Sequence, residues 1–325
     1  MLSLLKSIFG GASRGSYPEK LVTEAIERAV DGTDPCLRAV SGYKRKLRPA
    51  VVQAIDHVVA MVDGLPPPVN LSPGSYSEDP RLKAFFISAM EMKKVFAGDR
   101  SLAQFLQEPG SGSTQVVALL AMEKQEKVIL GSELSGDIII RDVPQTTVSF
   151  EAHRFFDPSA DESITRRQLM RRAYDHLLSL ALRRITIVKS ERETLARHRT
   201  LLQSKLDLLA RGGWGFDETG PGERLNAADI EERLGQIEAQ LLEVGGDDRM
   251  YETYLGTVAD VLGRPGEHLW AGSTTLFIDR MGIKRKQVAA DAPELTLHEL
   301  FNAEGRSLVA MLVALPVRDL QLAAE

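Results

Sequence analysis

The side chains that could do chemistry are scattered. Six histidines stand at positions 57, 153, 176, 198, 268 and 298, and none begins a zinc-protease pair, since His298-Glu299 is followed at position 302 by Asn302. Asp56-His57 and Asp175-His176 set an acid beside a base, but neighbouring helical residues point about 100° apart, so neither pair makes a site by itself. His153 with Glu151 and Asp157 could ligate a metal if folded together, although a polar strand exit is the expected reading. The one cysteine, Cys36, follows Pro35 at an expected helix start, with no activating base in sequence. The residues 10–16 lack the Lys-Ser or Lys-Thr pair that closes a phosphate loop, and no dinucleotide fingerprint, GxSxG or CxxC occurs. The sequence therefore names no catalytic residue, metal or cofactor.

Binding chemistry is better represented. Arg166, Arg167, Arg171 and Arg172 stack along one helical side, and with Arg183 and Arg184 they form a patch that can clamp phosphate or an acidic partner. Lys44-Arg45-Lys46 with Arg48, and Lys284-Arg285-Lys286, are smaller clusters; the latter is expected on a strand, where charge protects an edge. Trp214 and Phe216 place two large aromatics among Gly212, Gly213 and Gly215, at what should be the tip of a hairpin and a partner contact. Residues 1–9 form an amphipathic segment, with Leu2, Leu5, Ile8 and Phe9 on the apolar side. Too short to hold a helix alone, it should order against a membrane, a partner or the protein's own core. The segment lacks the basic start and apolar length of a signal peptide, so cleavage is not expected.

The elements that must position these residues follow from periodicity. Residues 17–109 carry apolar positions at helical spacing, which predicts a helical N-terminal domain after a tether ending at 16, with helices starting near Pro49 and running from Pro80 toward Phe96. Short apolar runs at 116–122, 128–130, 138–140 and 148–150 predict strands, with turns at 123–126 and 142–144. Strands reappear at 275–278, 283–288, 295–301 and 307–315, so a β domain of 114–157 plus 272–316, joined in one antiparallel sheet or barrel, is expected. Between these segments, 161–211 contains neither Pro nor Gly, and Ala181, Val188, Leu195, Leu202 and Leu209 recur every seven residues. Downstream, Ile230, Leu234, Ile237, Leu241 and Val244 step by four and three. Residues 161–211 carry a net charge of +6 and residues 217–248 one of −8. The expectation is an antiparallel coiled-coil hairpin within an inserted segment, 161–263. The fold class is α+β.

The 325 residues, 43% hydrophobic and 26% charged, allow about two domains with real cores. A net charge of −5 draws no nucleic acid globally, and one cysteine fits a reducing compartment, hence the cytoplasm. The first functional reading is a non-enzymatic scaffold that holds protein partners on the hairpin, peripheral to a membrane through residues 1–9, with homo-oligomerisation open. The second is a nucleic-acid-associated factor using the basic residues 166–184. The third is an enzyme with a site between the helical and β domains.

Overall fold

The computed structural model describes residues 17–107, 114–135, 138–210, 227–243, 249–289 and 291–319. The chain forms two compact units, Met1–Ala54 with Asp175–Arg264 and Ile55–Tyr174 with Pro265–Glu325. Of the three division points, that after Arg264 lies next to the end of the inserted segment drawn on the sequence, while those after Ala54 and Tyr174 fall inside continuous helices, not at the Pro- and Gly-rich residues 108–113. A helix long enough to bury different stretches in different cores leaves no compositional mark where it passes from one to the other.

In the first unit, α1 (Glu19–Asp31) buries Val22, Ile26, Ala29 and Val30, the i, i+4, i+7, i+8 stripe of an amphipathic helix. A 3-10 turn, Pro35–Ala39, follows; Asp34 caps it, its carboxylate accepting from the Cys36 N–H at 2.9 Å. Helix α2 (Tyr43–Asp63) starts upstream of the expected position and holds Pro49 in its interior, where the missing N–H removes one helical hydrogen bond. From the 49-residue α7 (Glu162–Ala210), Asp175 takes the Arg28 guanidinium through both oxygens, and Lys189 reaches Asp34 at 2.6 Å. Burial works against ionisation of Asp34, but Lys189 and the Cys36 N–H hold its carboxyl below the usual range.

Farther along, α7 is buried at Ala181 and Ile185 and half-buried at Val188, Arg192, Leu195, Arg199, Leu202 and Leu206, positions stepping four and three. Helix α8 (Ala227–Glu243) is covered along Ile230, Leu234, Ile237 and Leu241, at the spacing its sequence implied. The expected turn between the two helices, with Val244, lies outside the described residues. Helix α9 (Met250–Gly263) buries Tyr254, Leu255, Val258, Val261 and Leu262.

The second unit holds a seven-stranded sheet ordered β3-β2-β7-β6-β4-β5, with β1 (Val69–Asn70) pairing parallel to β7. The strands are β2 (Gln115–Ser135), β3 (Ile138–Ser159), β4 (Leu269–Ile278), β5 (Lys284–Arg285), β6 (Glu294–Asn302) and β7 (Ser307–Pro316). The other pairs in this path are antiparallel, and β2 against β7 joins the two sequence-distant strand groups, Val116 facing Leu315 and Met122 facing Val309. The fold is α+β. The ends of the strand path are bridged as well: Thr147 pairs with Ile283, and the Val148 N–H donates to the Gly282 carbonyl at 2.7 Å. One sheet face, with Leu120, Met122, Met311 and Leu297, packs on α4 (Pro80–Phe85), α5 (Ala89–Gly98) and α6 (Arg100–Gln107) through Phe85, Phe86, Phe96 and Leu102. A short α3 (Pro73–Glu78) precedes them.

The helix expected from Pro80 to Phe96 is thus two helices. Ser88 accepts the Glu91 N–H while the Glu91 carboxylate accepts the Ile87 N–H at 2.8 Å, a reciprocal cap that starts α5 afresh. The expected turns at 123–126 and 142–144 are likewise absent: both tracts lie inside the long strands β2 and β3.

Candidate interaction surface

Strand β2 outruns the sheet. It pairs with β7 only over Gln115–Met122, while its pairing with β3 continues to Ser135, opposite Ile138. Among the described residues, Glu123–Ser135 therefore have a strand partner on one side only, giving a two-stranded ribbon about 40 Å long at roughly 3.3 Å per residue. Isolated two-stranded ribbons are marginal in water, so this one needs anchoring.

The anchor is polar. Lys124 reaches Glu299 at 2.6 Å, Thr274 donates to the same carboxylate at 2.5 Å, and Glu299 is only 3% exposed. Beside them Glu126 pairs with Lys284 at 3.2 Å. The opposite strand is held by the turn 279–283, where Asp279 accepts the N–H groups of Met281 and Ile283 and the Arg285 guanidinium. Gly282 has φ +78°, and a Cβ there would stand 3.0 Å from the Val148 carbonyl, so the turn requires glycine on both counts.

Shape comes from β3. The pairing of β2 with β3 shifts register at three places, and at each a non-glycine residue of β3 has positive φ: Asp157 (51°), Ala152 (55°) and Asp142 (61°). Bulges of this kind bend a strand and increase its twist. All three lie on β3; the facing stretch of β2 is regular. Gly131 lets the Gln145 side chain lie across the ribbon, where its amide donates to the Ser132 carbonyl at 3.1 Å.

Outward of this base the ribbon is apolar and uncovered. Val128 is 72% exposed, Ile129 42%, Leu130 69% and, on β3, Ile140 48%. Alternation along the strand puts Val128 and Leu130 on one face and Ile129 on the other, so both faces carry aliphatic side chains. Sequence reading missed this site, taking 128–130 as an ordinary short strand; the available signal was an uninterrupted Val-Ile-Leu triplet between charged tracts.

The arginine patch is rearranged by the fold. Arg166 is bound to Glu162 and to the carbonyls of Val62, Leu65 and Pro66, so it caps the C-terminal end of α2. Arg167 folds back on Ser163 of its own helix, Arg172 pairs through two bonds of 2.8 Å with Asp157 and stacks on Phe156, and Arg184 meets Asp260 at 3.1 Å. Arg171 and Arg183 are exposed. The acidic partners within this patch are Glu162, Asp157 and Asp260. The smaller clusters are paired as well, Lys44 with Glu27, Lys46 with Glu252, Arg48 with Glu19 and Arg285 with Asp279. Trp214, Phe216, Leu2, Leu5, Ile8 and Phe9 lie outside the described residues.

Two of the histidines bond backbone carbonyls. His57 bonds the Leu269 carbonyl at 2.6 Å. His153 bonds that of Phe85 at 2.9 Å and stacks on Phe86, and burial pushes its pKa down. Asp157 is held by Arg172 and Glu151 is exposed, so the triplet 151, 153, 157 does not converge. No group of three or more His, Cys, Asp or Glu among the described residues could hold a metal ion. An open groove of about 590 Å3 runs between Asn70, Glu78 and the outer positions Glu294, Thr296 and His298 of β6, but its Asp79 is taken by Arg81. Among the described residues no helix is long and apolar enough to cross a membrane.

Comparison with protein-family models, with curated proteins and with solved structures gives no match.

Proposed function

We propose that this chain is a non-enzymatic, cytoplasmic interaction protein that holds protein partners on its extended elements: the β2–β3 ribbon and the helical arms 162–210 and 227–243. The observation that carries the reading is the ribbon, a 13-residue strand edge with aliphatic side chains uncovered on both faces. Surfaces of this kind are rarely left to water; they are contact sites or aggregation hazards. The heptad-spaced covered stripes of α7 and α8 support a paired-helix arm, on which Trp214 and Phe216 would be anchors, and residues 1–9 would bring the protein to a membrane surface. A nucleic-acid role through Arg166–Arg184 draws less support, because Arg166, Arg167, Arg172 and Arg184 already have partners within the chain.

The test is affinity capture from native extract with three baits: the wild-type chain, a Val128→Glu/Leu130→Glu variant, and a Trp214→Ser/Phe216→Ser variant. Partners retained by the wild type and lost from at least one variant are expected. Identical captures by all three would remove the reading.

A further inference from the structure

Resting on that reading, we propose that the ribbon's partner is a second copy of this chain, joined by antiparallel pairing of β2 with β2 across a two-fold axis at Ile129. Of the ribbon's two edges, that of β3 is protected: Pro144 has no N–H to donate, and the left-handed bulge at Asp142 breaks the hydrogen-bonding row. The edge of β2 has neither device. From Glu123 to Ser135 it contains no proline and no residue with positive φ.

Its sequence, Glu-Lys-Gln-Glu-Lys-Val-Ile-Leu-Gly-Ser-Glu-Leu-Ser, can be laid antiparallel on a second copy about its centre without opposing like charges. With Ile129 on the axis, all thirteen residues find a partner, and the centre is apolar: Ile129 meets its own copy, and Val128 meets Leu130 on either side. Outward, Lys127 faces Gly131 and Glu126 faces Ser132. Each charged residue therefore faces a neutral one, and no like charges oppose, which is the pattern that disfavours pairing when violated. The segment's net charge is −1, so two copies repel weakly. An isologous two-fold contact needs this kind of self-complementarity, whereas a strand of strongly acidic or basic character finds no complement here. The product is a four-stranded sheet, β3-β2-β2-β3, that covers Val128, Ile129 and Leu130 and satisfies the open backbone edge. It also supplies the additional strands that a two-stranded ribbon needs for stability.

The experiment uses the full chain. Sedimentation across a protein-concentration series is expected to show a dimer, and Ile129→Lys, which sets two ammonium groups together on the axis, is expected to abolish it with an unchanged circular-dichroism spectrum. A second arm does not depend on that variant folding. In a Cys36→Ser background, Ile129→Cys is expected to give a disulfide-linked dimer on mild oxidation, whereas Glu123→Cys gives none. A monomer at every concentration, a dimer that survives Ile129→Lys, or equal cross-linking at 123 and 129 would each overturn the self-pairing. A monomeric wild type that still loses captured partners on Val128→Glu/Leu130→Glu would overturn self-pairing alone and leave the interaction reading standing.

Discussion

Glu299 and Lys124 are an ion pair at the root of the ribbon, with Glu299 nearly excluded from water. Removing one partner of such a pair strands the other charge in a poorly solvated place, at a cost of about 3–5 kcal/mol. Glu299→Ala should therefore lower the unfolding free energy measured by urea titration by that order, while Lys124→Met with Glu299→Leu should recover most of the loss; two equal losses would mean that the pair is solvated. Glu27 gives a pH signature. Hydrogen bonds from Lys44, Tyr43 and Arg38 hold its carboxyl at about 2, against an ordinary 4.5. The folded value lies below the unfolded one, so the folded state binds fewer protons in this interval. The stabilisation is complete above about 4.5 and is lost as pH falls toward about 2. Urea midpoints measured through this window should fall with pH, and Glu27→Gln should flatten the slope.

At the scale of elements, the ribbon depends on the turn that grips β3 at Val148. Gly282→Ala puts a Cβ into the left-handed region and against the Val148 carbonyl, which should cost about 1–2 kcal/mol and speed exchange of the Val148 amide; an unchanged melting temperature would contradict the turn's role. The elements were unequally legible. The long helix α7 showed itself because fifty residues without Pro or Gly, with heptad-spaced apolar positions, admit little else. Strands β2 and β3 were misread at Glu123–Glu126 and Asp142–Pro144 because polar tracts mark turns only where a strand is half-buried. A ribbon wet on both faces has no buried side to enforce alternation, so its polar residues look like loop. The restart of the helix at Ser88 was visible in Ser88 and Glu91 but was passed over. The parallel pairing of β1 with β7 involves two residues and leaves no pattern to find. The partner of Arg172 was hidden for another reason, since it is set by tertiary packing across 15 positions.

For the whole molecule, many charged side chains of the described residues pair within the chain, and His57 and His153 bond backbone carbonyls. The largest uncovered aliphatic strand segment of the sheet is left to the ribbon. Two compact units share α2 and α7 as continuous helices, and the one containing the sheet ends in a structure that a lone domain has little reason to keep. The claim that this edge pairs with a second copy is tested most directly by hydrogen exchange of the backbone amides from Glu123 to Ser135 in the full chain, at low and high protein concentration. Outward-facing amides of β2 should gain protection as concentration rises, and those of β3 near Pro144 should not. Exchange of the β2 edge at one fast rate throughout, independent of concentration, would contradict it.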